Sequence, residues 1–374
     1  MKRILILAAI LAAFLIGLLV LKNAMNPIDA TTKSATEAVR AEPSLQASSS
    51  TKSITEALPT GYAPQSDALQ AILKNGIARI SVENPSEPFF YEKNGKPAGF
   101  NPDFAKLLFA QSEFGGNIEM KPFGVDTYEA VPQQLTEKLS DHYVVDMAMD
   151  GLTFANNEPV GVVYSIPYID DFGYALITKK DSTLKSVSDM QSKTIGVLKG
   201  DPDVKKYALK AFPNSTIVEL SDAAINGERA WLSHFINDGS VDAIVYDYPF
   251  ALSEMEGTNL VFAISKLEGS NIEYKIGVRK EDSALLTYLN SAIGKVRALP
   301  EYTNLLKKYF TSNQIVTVSA TAAEKTITVK QGDTLSTLAI SVYGNKSRYT
   351  DIQARNNLPN PNLIYVSQQL VIPR

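Results

Sequence analysis

The segment SVENPSEPFFYEKNGKPAGFNPDFAKLL, residues Ser81–Leu108, joins the first predicted strand of the main body to its first predicted helix. The strand is a short apolar run, Ala78–Glu83, and the helical pattern covers Phe104–Ala110. Between them lie two pairs of residues, Pro88-Phe89 and Gly99-Phe100. A short apolar strand that leads into a helical pattern is typical of an α/β protein.

Strands and helices continue to alternate after this segment. The sequence predicts further strands and helices over the following ranges: Val144–Met149, Thr194–Leu198 and Val241–Tyr246 as strands, Val204–Ala211 and Arg229–Ile236 as helices. This alternation predicts an α/β body with mostly parallel sheets. A phosphate-binding loop is not indicated, since its one candidate, Lys199–Pro202, places Asp201 where a phosphate would sit.

Composition excludes several classes of function. At 374 residues the chain should hold more than one hydrophobic core. Its net charge of -4 makes nucleic acid a poor partner. The absence of cysteine excludes disulfides, thiolate metal sites, cysteine nucleophiles and a lipid-modified cysteine. The two histidines, His142 and His234, lie in unrelated segments, so we predict no metal site and no cofactor.

The N-terminal region predicts export. An uncharged apolar run of about 18 residues, Ile4–Leu21, follows Lys2 and Arg3 and is just long enough to span a bilayer as a helix. A secretory signal core is usually shorter and ends at a small-residue cleavage site, which is unclear here. We favour a transmembrane signal anchor over residues 1–22, with a cleaved signal as the alternative. In either case we expect the body to lie in the periplasm, and an anchor would leave the N-terminus in the cytoplasm.

Two stretches are predicted to be linkers. Residues 23–65 are rich in Ala, Ser and Thr and cannot bury enough apolar surface to offset the entropy of ordering, so we expect a disordered tether to the inner membrane. A shorter linker of the same kind covers 316–325. The sequence between and after them is expected to form a main domain over 66–315 and a small module over 326–374.

The main domain resembles the amino-acid-type solute-binding proteins of ABC transporters. Besides Ser81–Leu108, four segments match in the right order: VVDMAMDGLT (Val144–Thr153), YSIPY (Tyr164–Tyr168), SDMQSKTIGVLKGD (Ser188–Asp201) and DGSVDAIVYDYPFA (Asp238–Ala251). The resemblance implies a two-lobed, type II periplasmic-binding-protein-like α/β body with a hinge. Lobe 1 would comprise about 66–170 and 265–315, and lobe 2 about 171–264. The ligand would lie between the lobes, which close over it.

The resemblance also assigns candidate ligand residues. Asp247 falls where relatives pair a carboxylate with the ligand's α-ammonium group, and Glu83 falls where relatives often have a second acid. Thr153 matches a hydroxyl residue of the ligand loop. Phe90 is a candidate as well, although a core position is the simpler interpretation of this aromatic.

This chain departs from the family where relatives grip the α-carboxylate of the ligand. A gapless comparison places Glu158 where relatives have an arginine, while Asp150 and Asp201 add further acids. An anionic group about 4 Å from one such acid would be repelled by about 4 kcal/mol at an effective dielectric near 20, close to a thousandfold in affinity. Two hypotheses remain open. The acidic cleft selects a cationic small solute, or the site has degenerated and the body is a scaffold or sensor in an envelope assembly.

The C-terminal segment Thr326–Pro373 resembles a LysM domain. The matching residues include Gly332-Asp333-Thr334-Leu335, Tyr343-Gly344, Asn356-Asn357, Asn360-Pro361 and Leu363-Ile364. The resemblance implies a βααβ fold that binds the N-acetylglucosamine glycan of peptidoglycan. The groove would be formed by two loops, with these residues: Gly332, Asp333, Thr334 and Leu335 in the first, Asn360, Pro361, Leu363 and Ile364 in the second. From the residues themselves, Asp333 or Thr334 is expected to cap the first helix.

An enzyme is not predicted. Some lytic transglycosylases join a solute-binding-like domain to a catalytic domain, but about sixty residues follow the main domain here and the LysM-like module uses most of them. No catalytic motif occurs elsewhere. The expected partners are a small solute, peptidoglycan, the inner membrane, and an ABC permease or another envelope protein.

Overall fold

Two mixed β-sheets and two short two-stranded sheets form the described part of the main domain, and a further two-stranded sheet lies in the C-terminal module. A computed structural model of the protein describes residues 68–153, 159–221, 231–311 and 324–374. The strands, numbered in chain order, are β1 Ile77–Glu83, β2 Tyr91–Lys93, β3 Lys96–Ala98, β4 Glu119–Val125, β5 Lys138–Leu139, β6 His142–Tyr143, β7 Met147–Leu152, β8 Val162–Tyr164, β9 Ile169–Phe172, β10 Tyr174–Lys179, β11 Thr194–Leu198, β12 Thr216–Leu220, β13 Ala243–Asp247, β14 Leu260–Ile264, β15 Ile272–Arg279, β16 Lys325–Thr328 and β17 Gln369–Ile372.

Helices connect these strands. They are α1 Ala68–Asn75, α2 Phe100–Phe109, α3 Ala130–Gln133, α4 Pro202–Ala211, α5 Trp231–Asn237, α6 Tyr248–Glu254, α7 Ser283–Arg297, α8 Pro300–Phe310, α9 Leu335–Tyr343 and α10 Tyr349–Arg355, with 3-10 turns at Gln134–Thr136, Val187–Met190 and Lys346–Arg348. The predicted two-lobed α/β body and the βααβ module are confirmed. Helix α2 buries Phe100, Phe104 and Leu108, four residues apart, which is the spacing that places side chains on one helix face.

The sheets contain parallel and antiparallel pairs. The sheet of lobe 1 has the order β4-β1-β7-β15-β8, with β9 also paired to β15, and the sheet of lobe 2 has the order β12-β11-β13-β10-β14. In the described residues, β1 is parallel to β4 and β7, and β11 is parallel to β12 and β13. The other pairs in both sheets are antiparallel. The expectation of mostly parallel sheets is therefore wrong, because β10 and β15 enter their sheets directly from the other lobe.

Two chain crossings join the lobes. The first runs from β9 to β10 through Gly173, and the second runs from β14 to β15 through residues 265–271. A Cβ atom at Gly173 would lie 2.3 Å from the Ser270 Oγ, so the crossings pass too closely for a side chain there. The Tyr174 amide donates to the Ser270 Oγ at 3.1 Å, and the Leu267 amide donates to the Tyr174 carbonyl at 2.8 Å. The two crossings therefore form one hydrogen-bonded hinge.

A buried ion pair links strand β1 of lobe 1 to the residue just before β7. The Arg79 guanidinium donates to both carboxylate oxygens of Asp146, at 2.6 and 3.1 Å, and its Nη1 donates to the Tyr143 carbonyl at 2.6 Å. The Asp146 carboxylate also accepts the Arg79 amide at 2.9 Å. The two side chains are 4% and 1% exposed. Each group therefore depends on the other, because an unpaired charge in this position would lie in a poorly solvated interior.

The C-terminal module has a core of its own. It buries the following apolar side chains: Val329, Leu335, Leu338, Ala339, Ile352, Leu358, Ile364, Leu370 and Ile372. Thr334, one of the two predicted capping residues, begins α9 and accepts the Thr337 amide at 3.0 Å. The Asn356 side chain follows α10 and bonds both the amide and the carbonyl of Val371 in β17, which fixes the helix end to the sheet.

Several predictions fall outside the described residues. They concern the N-terminal anchor, the tether over 23–65, most of the linker over 316–325, and Glu158. In the ranges that the structure describes, no helix combines the length and the apolar character needed to cross a membrane.

Replacing Asp146 with alanine should lower the free energy of unfolding by about 3–5 kcal/mol, because Arg79 would keep its charge in a buried site without its partner. Urea denaturation followed by circular dichroism measures this loss. The control is Glu219→Gln, which breaks the 2.6 Å pair with Lys205, whose side chains are 41% and 39% exposed. That change should cost less than about 1 kcal/mol, and equal losses in the two variants would contradict the assignment.

Candidate functional site

A cavity of about 260 Å³ lies beside the hinge, between the two lobes. Three sequence-predicted residues line it, Thr153, Asp201 and Asp247. Five residues that sequence reasoning missed complete its wall: Tyr174, Asp203, Asn271, Ile272 and Glu273. Four of these five belong to the crossings or to the strands that continue from them. The structure thus brings together acids from lobe 2, a hydroxyl from lobe 1 and the hinge itself.

Asp247 is the most deeply buried acid of this cavity. It is the last residue of β13 and is 8% exposed. Its Oδ2 accepts a hydrogen bond from the Tyr274 hydroxyl at 3.2 Å, whereas its Oδ1 has no hydrogen-bond partner within the described structure. Burial, together with the negative charges of Asp201 and Asp203, raises the pKa of Asp247 to about 8. The Oδ1 atom, when the carboxyl group is ionised, is therefore a buried acceptor without a partner in the described structure, on a residue that lines the cavity.

Asp201 lines the same cavity and also begins helix α4. Its Oδ1 accepts the amides of Asp203 and Val204, at 3.1 and 3.0 Å. These amides form part of the helix terminus that would otherwise attract an anion. Burial raises the pKa of Asp201 above its ordinary value. The helix start is thus occupied by the protein's own carboxylate.

The cavity wall is acidic and lacks a cation. Its lining contains four carboxyl groups, those of Asp201, Asp203, Asp247 and Glu273, and, in the described residues, neither lysine nor arginine. The carboxylate of Glu273 forms an ion pair with Lys275 at 2.8 Å. In the described part of the chain, no group of three or more His, Cys, Asp or Glu side chains converges as a metal site.

Thr153 is held in place by a half-buried tyrosine. The Thr153 amide donates to the Tyr128 hydroxyl at 2.9 Å, and that hydroxyl donates to the Gly151 carbonyl at 3.3 Å. Burial raises the pKa of Tyr128 well above its usual range, so this hydroxyl stays protonated. The loop after β7 is therefore fixed where Thr153 reaches the cavity.

Three predicted ligand residues do not line the cavity. Asp150 is fully buried, and its Oδ2 accepts the Glu83 amide at 3.0 Å, which joins the end of β1 to β7. Burial, with the nearby Glu83, holds the pKa of Asp150 well above its ordinary range. Phe90 is 1% exposed and lies in the hydrophobic core of the body. Asp150 and Phe90 therefore pack inside lobe 1 and do not line the cavity. Glu83, which does not line it either, ends β1, a strand that is buried through most of its length.

Aromatic packing joins the lobes next to the cavity. The ring of Phe250 in α6 lies 4.8 Å from that of Phe89, centroid to centroid, and the Ser253 hydroxyl donates to the Glu87 carbonyl at 2.8 Å. Gly151, with φ +62°, lies under both rings, and a Cβ atom there would be 3.0 Å from Phe250. The described conformation therefore has direct contacts between lobe 1 and lobe 2.

The predicted glycan residues of the C-terminal module fall into two environments. Gly332 and Thr334 are exposed, whereas the Asp333 side chain accepts the Lys330 amide at 2.7 Å and Leu335 lies in the module's core. In the second loop, Pro361 is half-buried and the other predicted residues are buried: Asn360 is fully enclosed, Leu363 is 3% exposed and Ile364 is 6% exposed.

Comparison with known families gives two matches. The family model described as bacterial extracellular solute-binding proteins, family 3, matches residues 78–312. The family model described as LysM domain matches residues 327–373.

Individual relatives agree with these matches. The arginine-binding extracellular protein ArtP of Bacillus subtilis (strain 168) is 24% identical over 243 residues, which cover 61% of this chain and 84% of ArtP. The potassium binding protein Kbp of Escherichia coli O6:H1 is 41% identical over 63 residues, 16% of this chain and 42% of Kbp. Among solved structures, an ancestral cationic amino acid solute binding protein, AncCDT-1, has a TM-score of 0.50 and 24% identity, and the match covers 66% of this chain and all of that one. This structural likeness supports the fold.

Asp247 should make the stability of the protein depend on pH. Because its pKa is raised from 3.8 to about 8, the folded state binds a proton that the unfolded state has released between these values. The wild type should therefore lose stability relative to Asp247→Asn as the pH rises from 5 to 8, by at most about 1.4 kcal/mol per pH unit. Urea titrations at the two pH values measure this difference.

The matched control is Asp242→Asn, since the Asp242 side chain is 40% exposed and lies outside the cavity. A pH-dependent difference that is no larger for Asp247→Asn than for this control would contradict the buried, protonated state of Asp247.

Proposed function

The chain belongs to family 3 of the bacterial extracellular solute-binding proteins, and from this premise we propose that it captures a small cationic solute. The solute would bind in the acidic cavity between the lobes, with its ammonium or guanidinium group against the free Oδ1 of Asp247. Capture needs no bond-making chemistry, so the proposed activity is binding without catalysis.

The observation that supports this proposal is the unpartnered oxygen of Asp247, a residue that lines a cavity whose described lining contains neither lysine nor arginine. A polar atom left without a partner in the interior is costly, by about 1–3 kcal/mol, and more when it is charged. A bound cation would supply the missing donor and would favour the ionised form of Asp247. The cavity volume of about 260 Å³ lies just below the usual range of small-molecule sites, which favours a compact solute or one extended arm of a solute.

The same wall disfavours an anionic group. The amides at the start of α4 already bond Asp201, so they are not available to a ligand carboxylate. Repulsion by one acid at about 4 Å is about 4 kcal/mol at an effective dielectric near 20. An α-amino acid would therefore need its carboxylate to point away from Asp201. A diamine, which carries no carboxylate, meets no such penalty.

We further propose that the C-terminal LysM domain binds peptidoglycan glycan and that the N-terminal apolar run anchors the chain in the inner membrane. The apolar run Ile4–Leu21 and the match to LysM over 327–373 support this proposal. The body would then be held in the periplasm between membrane and wall. An ABC permease is the partner that would receive a captured solute.

A second function is favoured by the contacts between the lobes. Phe250 packs on Phe89, and Ser253 bonds the Glu87 carbonyl, so side chains of the protein itself join the two lobes. In many binding proteins the ligand supplies the contacts that stabilise the closed state. A body that closes through its own side chains suits a scaffold or sensor in an envelope assembly.

Titration of the full chain with arginine, putrescine, spermidine and glutamate separates these functions. We expect the cations to bind and glutamate to fail, with affinity for cations rising from pH 6 to pH 8 as Asp247 gives up its proton. Calorimetry in buffers of different ionisation enthalpy should show proton release on binding below pH 8.

Asp247→Asn should weaken cation binding by at least about tenfold, or 1.4 kcal/mol, whereas Asp242→Asn should leave it unchanged. Tight binding of glutamate would reject the acidic-site proposal. If none of the four solutes binds, the scaffold function is the better account.

A further inference from the structure

We propose that the hinge face of the solute-binding body is a docking surface for the second LysM loop, and that glycan and body compete for this loop. The competition rests on the glycan binding proposed above. The loop is defined here as residues 357–365, between α10 and β17.

Two asparagines of this loop bond the hinge region, one in the second crossing and one in the strand before the first. The Asn357 Oδ1 accepts the amide of Ser265, in the second crossing, at 2.7 Å. The Asn360 Nδ2 donates to the carbonyl of Asp170, in the strand that leads into the first crossing, at 3.1 Å. Ser265 is 6% exposed and Asn360 is fully buried, so water does not compete effectively for these bonds. The loop therefore bonds the second crossing and the strand that leads into the first.

Apolar and aromatic contacts extend this docking. Leu363, 3% exposed, belongs to the hydrophobic core of the body although its chain segment belongs to LysM. Tyr365 is in hydrogen-bond contact with Thr311, and the Lys307 ammonium lies 5.0 Å from the centre of the Tyr365 ring. Burying a leucine side chain contributes about 1.5–3 kcal/mol. Burial of Leu363 therefore adds a hydrophobic contribution to the polar contacts between the loop and the body.

The docked loop carries half of the predicted glycan groove. Of the residues assigned to glycan binding from the LysM resemblance, Asn360 and Leu363 contact the body and Ile364 lies in the module's own core, while Pro361 is half-buried. The first loop, with Gly332 and Thr334, remains exposed. A glycan that needs both loops can therefore bind only after the second loop leaves the hinge.

Leaving the hinge would also affect the solute site. Asn271 lines the solute cavity on one side and, on the other, a larger crevice of about 1340 Å³ between lobe 2 and helix α10. A single chain segment of the second crossing therefore lies between the solute cavity and this crevice. Release of the loop frees the segments that bend when the lobes move.

Competition has a simple quantitative consequence. If the loop is docked in about nine chains out of ten, the apparent affinity for glycan is about tenfold lower than that of the undocked module. Variants that weaken docking without changing the predicted glycan-binding residues should therefore bind glycan about tenfold more tightly than the wild type.

The experiment measures binding of the full chain to a soluble oligomer of N-acetylglucosamine. One variant, the double substitution Lys307→Ala and Thr311→Ala, removes the body's contacts to Tyr365. A second variant, Asn357→Gly, removes the bond that the LysM loop makes to Ser265. Asn357 has φ +50°, a conformation that glycine adopts readily, so this change removes the side chain without straining the backbone. Both variants should bind the oligomer about tenfold more tightly than the wild type.

Two matched controls keep the docking intact. Asn357→Asp retains an oxygen that accepts the Ser265 amide. Lys308→Ala removes a lysine of the same helix that pairs with Asp103 at 2.7 Å, away from Tyr365. Both should bind the oligomer as the wild type does.

Hydrogen exchange at Ser265 reports docking independently of glycan. Its amide should exchange slowly in the wild type and in Asn357→Asp, and faster in Asn357→Gly or after saturation of the wild type with the oligomer. Equal glycan affinity in all variants, or an unchanged Ser265 amide when glycan is bound, would overturn the competition. If no variant binds the oligomer, the proposed glycan function itself fails and the competition with it, while the Ser265 amide in Asn357→Gly still decides whether the loop docks.

Discussion

The close approach of the two hinge crossings is the constraint on which the rest of the structure depends. There is no room for a side chain at Gly173, because a Cβ atom would lie 2.3 Å from the Ser270 Oγ. The hydrogen bonds that Tyr174 makes across this gap hold the crossings as a single unit. One side of that unit supplies Tyr174 and Asn271 to the acidic cavity, and its other side receives the LysM loop.

Burial brings the protonation of Asp247, in the acidic cavity, into the neutral pH range. A carboxyl group in water would be ionised at neutral pH, but Asp247 lies in the interior beside two further acids, and its pKa rises to about 8. Asp247 can thus hold a proton at neutral pH. The proposed cation and that proton favour opposite forms of the same carboxyl group, so this proposal links solute binding to proton release. Asp201 shapes the same site indirectly, since its carboxylate uses the helix amides that an anion would need.

The hinge also gives the two binding modules a physical connection. When two ligands each favour a different arrangement of one structural element, each changes the affinity of the other by the same factor. Here the shared element is the pair of crossings, which lies between the solute cavity and the docked loop. If the two proposals hold, capture of a solute and contact with peptidoglycan are coupled through this element.

The sequence by itself determined the order of the elements and the identity of the modules. Apolar runs such as Ala78–Glu83 and the capping residue Thr334 act through near neighbours, and local patterns of this kind are visible in one dimension. It also predicted the acidity of the site, through Asp201 and Asp247. Only the tertiary structure decided which acids meet: Asp150 bonds the Glu83 amide inside the core, while Glu273 and Asn271 arrive at the cavity from the returning crossing. Their place depends on how the second crossing packs against the first, a contact between residues about a hundred positions apart, and no local pattern encodes it.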